Sequence, residues 1–121
     1  MTILDLEAIA TFHAGAPAPK ILAQSGHARI VMFAFRKDQL LDKHSASSPI
    51  TVQVISGKID FSTEEERVTL LPGELLILEP QVPHKITALE ETILLVYIIP
   101  NPKAHTLEKE VFEKLTPMIE I

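Results

Sequence analysis

Histidine is the side chain best suited here to bind a metal, move a proton or orient a ligand near neutral pH; the chain has five, and no cysteine. The lack of cysteine excludes disulfides, thiolate zinc sites and cysteine nucleophiles, so any metal must use imidazole, carboxylate or amide ligands. His13 and His105 stand beside proline- and glycine-broken segments, and His27 follows Ser25-Gly26; all three read as surface or turn residues. His44 and His84 are different. His44 follows Asp42 and Lys43 at what reads as the start of a strand, the two charges being solvated. His84 follows Pro83 in the apolar run "LLPGELLILEPQVPHK". Proline fixes the local path and so aims the next side chain, and strand alternation puts His84 on one face with Ile86 and Ala88. An imidazole buried there without a partner or ligand would cost a few kcal/mol.

Other chemistries lack their residues. Ser45, Ser47 and Ser48 form no nucleophile elbow and have no acid placed to complete a triad. Four glycines, no two of them close, make no phosphate loop. A net charge of −5 and the absence of a basic patch argue against nucleic acid, whose binding draws on clustered Lys and Arg. The runs Glu64-Glu65-Glu66 and Glu90-Glu91 read as solvated turns. No apolar stretch reaches the roughly 18 residues of a membrane span, and "MTILDLEAIATFH" has neither a positive start nor an unbroken apolar core. A cytoplasmic protein that avoids membranes is the expectation.

The elements that must position the histidines are short. Ile3 to Phe12 is either a helix capped by Asp5 or a peripheral strand, and Pro17 and Pro19 then force an extended path. From Lys20 onward, "KILAQ", "ARIVMFAF", "ITVQVI", "KIDFS", "RVTLL", "ELLILE", "HKITAL" and "TILLVYII" read as strands, separated by Ser56-Gly57, the Glu64 turn, Pro72-Gly73, the Pro80 to Pro83 bend and Glu90-Glu91. Eight or so such strands predict an all-β sandwich or barrel. At 121 residues the chain is one domain, with a barrel core at about 20–100. After Pro100 and Pro102, the spacing of Leu107, Val111 and Leu115, with Phe112 beside them, predicts a helix over about 104–116 packing on the barrel or on a partner chain.

Two offsets carry a resemblance. His44 stands 13 residues before Gly57, and His84 stands 11 residues after Gly73. Together with the strand and turn order, the stretches "HSASSPITVQVISG" and "GELLILEPQVPH" resemble the two motifs of the cupin superfamily, across roughly Arg29 to Ile99. The first motif reads HxHxxxE, six residues, Gly; the second reads Gly, five residues, PxGxxH. Ala46 replaces the second histidine and Ile50 the carboxylate, while Gln81 stands at the second glycine and the proline has moved to Pro80. The resemblance is closest to small single-domain cupins with a degenerate first motif. It implies a double-stranded β-helix, a jelly-roll barrel with a pocket at one mouth, and His44 and His84 as the remaining metal-ligand positions.

A catalytic metal site ordinarily needs three protein ligands. Gln53, Gln81, Glu79 and His27 are the nearby candidates to join the two imidazoles, and alternation turns Gln53 away from Ile50 and Val52. The leading expectation is therefore a barrel whose pocket, lined by His44, His84, Ile50, Val52 and Ile86, binds a small molecule, with a divalent metal (Zn, Fe, Mn or Ni) held weakly if at all. The rival is a metal-dependent cupin enzyme, an oxygenase or isomerase acting on a small organic acid. No catalytic residue is assigned. The resemblance also implies a homodimer, for which the N-terminal segment and the C-terminal stripe are the expected docking surfaces.

Overall fold

In the computed structural model, residues 1–101 and 111–121 are described. Almost every regular element is a strand: β1 Ala18–Gln24, β2 Arg29–Phe35, β3 Leu40–His44, β4 Ile50–Ser56, β5 Ile59–Ser62, β6 Arg67–Leu70, β7 Leu75–Leu78, β8 His84–Ala88, β9 Thr92–Ile98 and β10 Ile119–Glu120. A four-residue helix, α1 Leu6–Ile9, precedes them, and Asp5 caps it by accepting a hydrogen bond from the Ala8 amide at 3.2 Å. No helix among the described residues is long and apolar enough to cross a membrane.

The strands form two sheets, β10-β1-β2-β9-β4-β7 and β3-β8-β5-β6. Alternation then builds the core. Val31, Phe33 and Phe35 of β2, Val52 and Val54 of β4, and Leu94 and Val96 of β9 face inward, meeting Ile59, Phe61, Ile86 and Ala88 of the smaller sheet. On the outer face of the larger sheet, Leu22, Met32, Ile93 and Leu95 are buried beneath Leu4, Leu6, Ile9 and Phe12. The N-terminal segment thus covers its own sheet, and Lys20 Nζ holds it by donating to the Ile9 carbonyl at 2.8 Å.

Three elements differ from the expected pattern. The first strand begins at Ala18 and contains Pro19. Its outer neighbour β10 pairs only at Ala23 and Gln24, so the proline's missing N–H falls on an open edge and breaks no ladder bond. Strand β3 was hidden by its charges: "LLDKH" does not alternate cleanly, yet Leu40 and Leu41 pair with Thr87 and Ile86 of β8. His44 therefore ends a strand and does not start one. The expected C-terminal helix falls mostly on residues 102–110, outside those described; within it Phe112–Lys114 is a single 3-10 turn, after which the chain extends and adds β10 beside β1.

Candidate functional site

Strands β3 and β8 are antiparallel neighbours, and their register sets His44 directly opposite His84. The paired backbones bring the rings to 4.1 Å between centroids at 63°, edge to face. Phe61 of β5 lies flat against His84 from the other side, 5.2 Å away at 11°. Both imidazoles are buried at one mouth of the barrel, His84 to 2% exposure and His44 to 8%.

Each ring is fixed in the same way. His44 Nδ1 lies 2.8 Å from the Asp42 carbonyl and His84 Nδ1 lies 2.9 Å from the Val82 carbonyl. A carbonyl only accepts, so Nδ1 carries the proton and, in the neutral ring, Nε2 presents a lone pair. Burial keeps both rings neutral: it lowers the pKa of His44 against the opposing pull of the Asp42 carbonyl and charge, and lowers that of His84, with the help of repulsion from His44, to about 4. The pair is a set of two neutral nitrogen donors against apolar walls.

Those walls are tight. His44, His84, Ile50 and Ile86 line a cavity of only about 10 Å³, with Leu41, Ile98 and Phe112 among the side chains closing it; that is room for about one water. Val52, also expected in the pocket, is fully buried in the same core cluster as Ile50 and Ile86 and is not among the residues lining this cavity. Phe112 was not among the expected site residues. It is 3% exposed, packs into the barrel core and sits on the Arg29 guanidinium, whose carbon is 4.8 Å from the ring centroid. A sequence signal for it existed in the apolar stripe around Val111, but nothing in that stripe said which surface it would cover.

The positions where the resemblance places further ligands are apolar in space as well as in sequence. Ala46 and Ile50 are buried in the core cluster. Gln53 is turned outward, its Oε1 accepting from the Tyr97 hydroxyl at 3.1 Å, while Gln81, Glu79 and His27 are exposed. Gln81 adopts φ 65°, the left-handed conformation for which glycine is best suited, at the position where the second motif carries glycine. Its amide donates to the Ala46 carbonyl at 2.7 Å and ties the two motif loops together. Among the described residues no three His, Asp or Glu side chains gather as a metal site, and the two imidazoles are one fewer than the three protein ligands a catalytic ion ordinarily takes.

No protein-family model matches the chain, and no curated protein matches it. Solved structures do. An RmlC-like cupin protein from Desulfovibrio desulfuricans superposes with a TM-score of 0.77 at 23% identity, over 83% of this chain and 97% of that one. The chain has the cupin fold. Two further matches are an uncharacterized conserved protein with a double-stranded β-helix domain from Klebsiella pneumoniae and a conserved protein of unknown function from Streptococcus pyogenes. The first has a TM-score of 0.76 at 19% identity over 83% of this chain and 86% of that one. The second has a TM-score of 0.73 at 22% identity over 85% and 90%. In this cupin barrel the histidine pair therefore stands at the mouth of a double-stranded β-helix, with the C-terminal turn laid across it.

Proposed function

We propose that this cupin barrel binds a small molecule at its mouth, oriented by His44 and His84. The observation that carries the reading is the pair itself: two buried, neutral imidazoles, each with Nδ1 tied to a backbone carbonyl, at the end of an apolar barrel. Such donors accept hydrogen bonds from a ligand's hydroxyl or N–H, or share a soft divalent ion that the ligand helps to complete. With two protein ligands, a zinc, iron, manganese or nickel ion is retained only alongside such a ligand.

A small-molecule screen followed on the imidazole carbon-bound proton resonances of His44 and His84 tests this. Bound compounds are expected to shift both, and His84→Ala to weaken them about tenfold or more, the loss of about one good hydrogen bond. Compounds that bind while leaving both imidazoles unmoved overturn the reading. Elemental analysis of protein purified without chelator separates the rival: stoichiometric metal that disappears in His84→Ala assigns the site to a metal-dependent enzyme.

A further inference from the structure

Among the described residues the two sheets have four edge strands, β10, β7, β3 and β6. Three of them carry features that keep an edge from pairing with foreign chain. Strand β3 holds Asp42 and Lys43 and breaks its register with β8 after Leu41. Strand β6 carries Arg67, whose Nε donates to Asp60 at 3.0 Å, and β10 is two residues long, one of them Glu120. Strand β7 has none of these. Leu75–Leu78 is a run of four aliphatic residues without charge or proline, in unbroken register with β4. An edge strand leaves the N–H and C=O of alternate residues without a ladder partner, so β7 is a template for one more strand.

The surroundings of β7 describe what that strand would be. Leu75 and Ile77 are 59% and 74% exposed, while Leu76 and Leu78 pack against the core. Beside them lies a hollow of about 240 Å³ lined by Phe61, Val68 and Leu76 to Leu78, together with Thr63 and Glu66, which has room for apolar side chains of an added strand. Both ends of β7 are acidic: the exposed Glu74 precedes it and the exposed Glu79 follows it, sharing a second hollow with Glu64 and Glu65. Glu64 pairs with Lys43 and Glu74 accepts from the Leu71 amide, and both stay exposed to solvent. A second copy of the chain fits this edge poorly. Antiparallel pairing of β7 on itself, Leu75 against Leu78, sets Glu74 opposite Glu79 at each end, and like charges directly opposite destabilise a strand pair. We propose that the β7 edge docks an extended segment of a partner protein, apolar in the middle and carrying Lys or Arg at both ends, which joins the larger sheet as an added strand. This docking is independent of the histidine pair.

Titration of the full chain with an end-capped hexapeptide of alternating valine and threonine between terminal lysines, followed on the backbone amides of Leu75 to Leu78, tests this. The peptide should slow hydrogen exchange at the β7 amides that do not pair with β4, and leave the Val96 amide of the central strand β9 unchanged. The same peptide N-methylated throughout has no amide to donate and should bind about tenfold more weakly or worse. Glutamates in place of the lysines should weaken binding several-fold at low salt, a gap that closes as salt screens the charges. Glu79→Lys, a change at an exposed position, should narrow the same gap. Equal binding of the N-methylated peptide overturns strand addition, and equal binding of the glutamate-ended peptide at low salt overturns the basic class. If the outer β7 amides are protected without peptide and light scattering gives a dimer, a second copy holds the edge and the proposal fails. A peptide that leaves the β7 amides unchanged overturns it as well.

Discussion

At the scale of single residues, His84 couples the site to stability. Its pKa is about 4 in the folded barrel against 6.5 unfolded, because burial and then the neighbouring His44 disfavour the charged ring. Below pH 6.5 the unfolded chain takes up a proton that the folded chain refuses. Stability is thus fully present above 6.5 and drains away as the pH falls from there towards 4, by on the order of 3 kcal/mol. His44, lowered for the same reason, acts in the same direction. Replacing His84 by leucine removes this proton linkage while keeping an apolar side chain against Phe61. Urea midpoints measured from pH 8 to pH 4.5 should therefore fall less steeply for His84→Leu than for the parent, and equal slopes would refute the buried neutral pair. His84 was legible in the sequence because proline and strand alternation fix where its side chain points, whereas His44 was picked out by its offset from Gly57 and its strand went unseen. Phe112 was not legible, because a stripe of apolar residues declares that it must be covered and is silent on what it covers.

At the scale of elements, the turns hold the two sheets in register, and glycine does so at one place for a steric reason. Gly57 has φ +95°, and a Cβ there would sit 2.3 Å from both the Glu91 carbonyl oxygen and Thr92 Oγ1. The close approach lets Thr92 Oγ1 accept from the Lys58 amide at 3.0 Å and donate to the Glu90 carbonyl, joining the β4–β5 turn to the β8–β9 turn. Gly73 has a similar φ of +87° but open space around it. Gly57→Ala should cost roughly 3 kcal/mol or more, from strain and overlap together, and Gly73→Ala about 1–2 kcal/mol from the backbone alone. Paired urea denaturation curves read the difference; equal losses would mean that the turn–turn contact is soft. Turn chemistry is also why the eight main strands could be placed from sequence. The strands it missed, β3 and β10, lack that pattern: one is dominated by charge, and the other has two residues whose pairing is decided by a distant strand edge.

At the scale of the whole molecule, both chain ends close apolar surfaces of the same barrel, from opposite sides. The C-terminal turn fills the mouth with Phe112, while the N-terminal segment covers the outer face of the larger sheet with Leu4, Leu6, Ile9 and Phe12. The segments expected to dock a second subunit thus spend these side chains within the chain, Leu107 lying outside the described residues. The N-terminal closure lies over the apolar cluster of Leu22, Met32, Ile93 and Leu95, and its anchor is the Lys20 bond to the Ile9 carbonyl. Removing residues 1–12 should leave Leu22, Met32, Ile93 and Leu95 facing water, each forfeiting up to about 1.5–3 kcal/mol of burial. The shortened chain should unfold at a lower urea concentration and, with a contiguous apolar sheet face bare, should self-associate in light scattering. The His44 and His84 resonances, on the far side of the larger sheet, should keep their positions in whatever fraction stays folded. A shortened chain as stable and monodisperse as the parent would show that this cover contributes nothing. Displaced imidazole resonances would show instead that the outer face and the mouth are one coupled unit.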